Sequence, residues 1–301
     1  MAGIKFTQQM TIPQFEKLFP TDDACKSYLV ARRWPQGIKC PRCANEDVYP
    51  VTNKPFHWQC ARCVEKGGYR FSVLVGTIFE NTNVGLKTWF KVIYLMLTSK
   101  IGISALQIQR MMGFGSYRTA HYMCHRVRAG LADPDFRKLM GIVEVDETYI
   151  GGSKNKNRHA DKRIKDAKGT IGKLIVVGAV SRKGNVVARV IDNTDTATLD
   201  SFVRQVVSEG VSLIASDEHS GYRKLKDTFP HEIVHHTSKQ YVDGVVHTQT
   251  IDGFCSLLKR GIMGSYHKVS RKYLPLYVAE FTWRYNNRNN ADIFGAAIGR
   301  C

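Results

Sequence analysis

Acidic residues are scarce in this chain. Its 301 residues hold 26 Asp and Glu against 44 Lys and Arg, a net charge of +18. Residues 81–132 contain no acid at all. This imbalance disfavours a cationic partner and points to a polyanion, nucleic acid first and anionic lipid second. Long apolar runs are also missing, and none approaches the length of a membrane span. No basic–apolar–small leader opens the chain, because Gln8, Gln9 and Glu16 interrupt it. There is no long internal repeat and no low-complexity tail. These absences predict a cytoplasmic protein whose eight cysteines stay reduced.

What is present starts with residues 11–33, read as two short helices. Phe15, Leu18 and Phe19 make an apolar face, Pro20 ends the first helix, and Asp22 and Asp23 open the second. A helical leader this small is expected to pack on the next part of the chain rather than fold alone. Then come Cys40-Pro-Arg-Cys43 and Cys60-Ala-Arg-Cys63. Two CxxC pairs across a short loop have zinc-ribbon spacing, and four thiolates complete a tetrahedral shell with no open position. One structural Zn²⁺ is therefore expected, ahead of two disulfides or four unrelated thiols. Trp58, Arg62, Lys66, Tyr69 and Arg70 surround the pairs. They suit nucleic-acid contact, with a solvated basic face as the plain alternative. Residues 69–79 read as the ribbon's last strands.

The acid-free stretch predicts three helices. Trp89, Phe90, Ile93, Tyr94 and Met96 mark the first, residues 104–112 the second, and a turn at Gly113-Phe-Gly115 leads to a third capped by Ser116. Ala120, Met123, Val127 and Leu131 form the buried side of the third. Arg118, Arg126 and Arg128 make it basic. Helix, glycine turn and basic helix together suggest a helix-turn-helix, with plain helical packing as the alternative.

Beyond Asp133-Pro134-Asp135 the pattern turns to strands and helices. Residues 141–152, GIVEVDETYIGG, combine a strand former with three carboxylates, Glu144, Asp146 and Glu147. Buried carboxylates need a cation nearby. A basic stretch comes next, with Lys154, Lys156, Arg158, Lys162 and Arg163 as candidate DNA contacts and a solvated loop as the alternative. Strands are expected at 174–180, 186–191, 211–215 and 232–236, with a helix from Leu199 to Gly210 and a short one at 222–229. Asp217 stands just past the fourth strand. In a helix starting near Thr250, Asp252, Ser256 and Lys259 share a face. The order implies a mixed α/β sheet, and ligand sites in such sheets form where strands end. Asp146 and Asp217 would then converge, with Asp252 as a third carboxylate. Three hard oxygen ligands suit Mg²⁺ or Mn²⁺, and two such ions can clamp an in-line displacement at phosphorus. Spacing alone leaves other aspartates open to choice.

The motifs VEVDETYIGG, SDEHSGY, YVDGVVHTQTIDGF, SLLKRGIMGSYHKVS and EFTWRYNNR, with ARRWPQGIKCPRC and GISALQIQRMMG before them, make the chain resemble bacterial insertion-sequence transposases. These are DDE enzymes with an amino-terminal zinc ribbon, related to the eukaryotic Merlin transposases. The likeness covers nearly the whole chain. It implies a ribonuclease H-like catalytic domain, with Asp146 and Asp217 as the first two catalytic residues. Asp252 falls where relatives place Glu or Asn, with Lys259 as the accompanying basic residue, and Cys255 stands where relatives commonly have Trp. Glu280 and Arg284 match a recurring pair and are candidate site support, an ordinary intrahelical ion pair being the alternative. Arg260 joins the DNA contacts. The implied partners are double-stranded DNA, at terminal inverted repeats and target, and a second copy of the chain or more in a synaptic assembly at the nucleoid. A catalytically decayed DNA binder and a structure-selective nuclease are the competing functions.

Four domains are expected: a helical leader (1–36), a zinc ribbon (37–80), a helix-turn-helix segment (81–135) and a catalytic domain with carboxy-terminal helices (136–301). Within the site, Glu144 is the alternative to Asp146 as ligand. Glu147 is read as pointing the other way, to a salt bridge or DNA. His219, His235, His236 and His247 are assigned no metal. Cys25, Cys124, Cys255 and Cys301 are read as small apolar fillers or free thiols.

Overall fold

The computed structural model describes residues 10–63, 68–151, 172–234 and 247–301. The chain forms two compact units, Met1–Leu131 with Arg288–Cys301, and Ala132–Asn287.

The first unit opens with α1 (Ile12–Leu18) and α2 (Asp22–Arg33). Thr11 and Gln14 close a capping box on α1, and the Thr21 hydroxyl caps α2. Phe15 and Phe19 are buried, their rings against Tyr94, Phe90 and Phe294. Strands β1 (Val48–Pro50), β2 (His57–Cys60) and β3 (Tyr69–Ser72) form an antiparallel three-stranded sheet in that order. Strand structure was expected as far as residue 79 but stops at Ser72. Beyond it the backbone turns through Gly76 and Asn81, both at positive φ, which no strand tolerates. Helices α3 (Leu86–Thr98), α4 (Ala105–Met112) and α5 (Tyr117–Gly130) come next. Gly113 takes the left-handed conformation that ends α4, and Ser116 caps α5.

The last helix, α9 (Ile293–Arg300), corrects the expected domain boundary. It belongs to the first unit, not to the catalytic one. Phe294 joins the rings of Phe15, Phe19, Tyr28 and Phe90, and the Asp292 carboxylate pairs with Arg32. Periodicity marks an apolar helix face but not the surface it covers.

The second unit is a five-stranded sheet, ordered β6-β5-β4-β7-β8, from β4 (Ile142–Ile150), β5 (Leu174–Ser181), β6 (Val186–Ile191), β7 (Leu213–Asp217) and β8 (His231–Val234). The first three strands form an antiparallel meander; β7 and β8 run parallel to β4. This is the ribonuclease H-like arrangement. Alternation along β4 assigns its two faces. Val143 and Val145 pack under α6 (Thr196–Val206) and the 3₁₀ turn Ser220–Asp227. Thr148 and Ile150 face the other way, where α7 (Gln249–Gly261) and α8 (Leu274–Asn286) cover the sheet through Ile251, Phe254, Leu258 and Phe281. The fourth strand begins two residues later than expected, so Asp217 is its last residue rather than the one beyond. Cys25, Cys124, Cys255 and Cys301 are buried. Among the described residues no helix is long and apolar enough to cross a membrane.

Candidate functional site

Cys40 and Cys43 lie in the turn before β1, Cys60 ends β2, and Cys63 stands three residues beyond it. Their sulfurs all lie within 4.8 Å of one another. Individual separations are 4.0 Å (Cys40–Cys63), 3.6 Å (Cys43–Cys60) and 3.4 Å (Cys43–Cys63). A tetrahedron of sulfurs about 2.3 Å from zinc has edges of about 3.8 Å, so the spacing fits Zn²⁺ and is far too long for a disulfide. The four thiols share their protons unequally: contact with Cys43 and burial push Cys63 up to about 12, whereas burial of Cys60 is outweighed by the amides of Cys63 and Arg62 and the neighbouring thiols, which bring it down to about 6. A metal binding here would displace the remaining protons.

The second cluster forms where β7 stops. The β4–β7 ladder ends at Val145↔Ser216, and the next residues, Asp146 and Asp217, bring their carboxylates together. Glu147 completes the group, with oxygens from all three within 4.8 Å of one another. Glu147 does leave β4 on the opposite face, toward the 3₁₀ turn, yet its carboxylate reaches the same strand end. The buried Tyr222 hydroxyl donates to its Oε2 at 2.8 Å, and His219 Nε2 stands 3.9 Å from Oε1. The adjacent Asp-Glu pair at a strand end was the only sequence signal for this.

The cluster is electrostatically strained. Burial, followed by the charges of Glu147, Asp217 and Asp252, pushes the Asp146 carboxyl up to about 8. Burial also raises Glu147, opposed by the Tyr222 hydrogen bond and reinforced by Asp217. Buried like charges with oxygen donors at this spacing are a donor set that a hard divalent cation would relieve.

Asp252 sits in the first turn of α7, exposed, accepting from Thr248 Oγ1 at 3.2 Å. It does not join the tight group, although its charge is felt at Asp146. Lys259 and Arg260 are exposed further along α7. Cys255, buried on the same helix, has its thiol pushed up to about 12 by burial and by Asp146. Glu144, the alternative ligand, is fully buried and engaged by Arg182, Thr250 and Ile251. Buried Glu280 and half-buried Arg284 form an ion pair at 3.6 Å, with the Tyr266 hydroxyl 3.3 Å from Glu280.

Of the candidate DNA contacts in α5, Arg118 is exposed and Arg126 half-buried, donating to the Tyr122 hydroxyl and the Glu80 carbonyl. Arg128 is corrected: it is 1% exposed and offers no surface to DNA. Lys154, Lys156, Arg158, Lys162 and Arg163 lie outside the described residues, as do His235 and His236.

Comparisons with known proteins agree with this layout. Residues 138–286 match the family model of the ISXO2-like transposase domain, and residues 20–66 that of the transposase zinc-ribbon domain. A relative from Halobacterium salinarum, described as an uncharacterized protein in transposable element ISH50, is 27% identical over 284 residues, covering 89% of this chain and 92% of that protein. One solved chain, from the simian T-cell lymphotropic virus intasome in complex with PP2A regulatory subunit B56 gamma, is similar at 16% identity and a TM-score of 0.30. That match covers 64% of this chain and 65% of that one, just under two thirds. With a zinc ribbon and a DDE domain matched in order over well over half its length, the chain belongs to the ISXO2-like insertion-sequence transposases.

Proposed function

We propose that the protein binds the terminal inverted repeats of its insertion sequence, cleaves DNA there, and joins the freed 3′-hydroxyls to target DNA. In this reading Asp146, Asp217 and Asp252 are the catalytic carboxylates that hold two Mg²⁺ or Mn²⁺ ions, with Glu147 as a further oxygen donor. The observation that carries it is the Asp146 carboxyl, pushed up to about 8 amid two close carboxylates at the end of two parallel strands. Divalent cations there would supply the charge that polarises a phosphodiester and activates the attacking oxygen. The chain's own groups do the rest. Tyr222 holds Glu147 toward the cluster, and the sheet keeps Asp146 and Asp217 side by side. Lys259 and Arg260, exposed on α7, meet backbone phosphates in this reading.

The thiolate shell holds one structural Zn²⁺. The ribbon, Arg118 and Arg126 of α5, and the basic residues Lys154, Lys156, Arg158, Lys162 and Arg163 engage DNA. Two copies or more assemble across paired ends, in the cytoplasm at the nucleoid.

The test is nicking of a duplex carrying the element's ends in Mg²⁺ or Mn²⁺. Wild type should nick it, and Asp146→Asn should lose about 100-fold or more while still binding the duplex. Full cleavage by that variant rejects the assignment. Cleavage of branched DNA without regard to end sequence would make the protein a structure-selective nuclease. A second reading, a catalytically decayed DNA binder, draws on the position of Asp252 outside the tight carboxylate group. Binding without nicking by wild type would establish it.

A further inference from the structure

Glu144 stands two residues before Asp146 and is 0% exposed. Its Oε2 accepts the backbone amides of Thr250 (2.7 Å) and Ile251 (3.0 Å). Its Oε1 accepts Arg182 Nε (2.7 Å) and the Thr250 hydroxyl (2.9 Å), and His247 Nδ1 lies 3.1 Å away. Arg182 also donates to the His247 carbonyl at 3.1 Å, and its own amide donates to the Ile142 carbonyl. The first amides of α7 thus find their acceptor on β4. Thr248, the residue at the helix cap, gives no side-chain capping bond of its own. A carboxylate at a helix start satisfies orphan amides and meets the positive end of the dipole. An apolar residue could fill the same space. A carboxylate aimed at two successive amides also fixes the rotation of the helix, because hydrogen bonds lose strength steeply off axis. The next residue after those amides is Asp252.

We propose that Glu144, held by Arg182, is a positioning residue that sets the rotation of α7 on the sheet and so places Asp252 and Lys259 relative to Asp146. This rests on the function proposed above. Glu144 neither binds metal nor touches DNA in this role.

The experiment uses the full chain with Glu144→Gln and, as the milder change, Arg182→Lys. Three quantities are read: hydrogen exchange of the 249–255 peptide, Mn²⁺ binding by titration, and nicking over a range of Mn²⁺. Glu144→Gln should speed exchange in that peptide about tenfold or more, the loss of one or two hydrogen bonds, while amides of β4 and β5 stay protected. Mn²⁺ half-saturation should rise about tenfold, with nicking recovered at high Mn²⁺ and duplex affinity unchanged. Arg182→Lys should shift both in the same direction by less. Unchanged exchange in both variants overturns the clamp. Faster exchange with unchanged Mn²⁺ half-saturation makes Glu144 a plain structural cap and overturns the positioning role. A wild-type chain that binds no Mn²⁺ and nicks nothing overturns the functional reading, and the positioning role with it, whatever the exchange shows.

Discussion

Gly178 lies directly opposite Asp146 in the β4–β5 ladder, and a Cβ placed on it would come 2.9 Å from Ile251 Cδ1. The missing side chain is what lets α7 settle onto the sheet beside Asp146. Gly178→Ala should therefore destabilise the chain by about 1–3 kcal/mol through overpacking. It should also reduce nicking more than DNA binding, since α7 carries Asp252. Pairing it with Ile251→Val should restore part of the denaturation midpoint, which urea titration of the single and double variants would read.

Asp146 has a cost when no cation is near. With its carboxyl pushed up to about 8, Asp146 must hold a proton at neutral pH or stand charged beside Glu147 and Asp217, and an amide is spared both. Asp146→Asn in chelator should thus be more stable than wild type by about 1–2 kcal/mol, well under the full conversion of the pKa shift because the group keeps some solvent contact. Thermal unfolding at neutral pH with and without Mn²⁺ tests this: Mn²⁺ should raise the midpoint of wild type and do little for the variant.

The zinc shell gives a cleaner outcome. Cys60→Ser should drop bound zinc from one per chain to near zero and unfold the ribbon, shifting the emission of Trp58, which packs between Trp34 and Phe71. Metal analysis and fluorescence check it. Mild acid should release zinc in the same way, because protons compete for the thiolates.

His125 supplies a pH dependence. Burial, then the Arg128 and His121 charges, lower it to about 4 from its ordinary value of 6.5. The unfolded chain takes up this proton near 6.5, whereas the folded one refuses it until about 4. The contribution is therefore complete above 6.5, falls as pH drops from 6.5 to 4, and is level below. His125→Gln should lose less stability than wild type between pH 7 and 4.5, measured by urea midpoints at the two values.

Asp252 is open to water and hydrogen-bonded within its own turn. Lengthening it by one methylene should reach further toward Asp146 without a packing conflict. Asp252→Glu is expected to keep or raise nicking, read as the rate at fixed Mn²⁺; complete loss would mean the helix is fitted to the shorter side chain.

Much of this molecule is legible without coordinates, for reasons that are local. Two CxxC pairs across a short loop point to a four-thiolate shell through their spacing alone. Ser104, Gly113 and Ser116 mark helix ends because capping uses neighbouring backbone groups. Alternation in β4 shows two buried faces, and the family motifs locate Asp146 and Asp217.

What the chain alone settled is the type and apolar face of most elements and the four thiolates of the ribbon, which depend on contacts a few positions apart. Which surfaces meet was decided only by tertiary structure. Strand order brought Asp217 to Asp146 and Glu147, left Asp252 outside the tight group, and set Glu144 against the first amides of α7. Packing sent α9 to the first unit and drew Arg128 inward. Distances between oxygens remote in sequence depend on how sheets and helices stack, and no spacing along a chain encodes them.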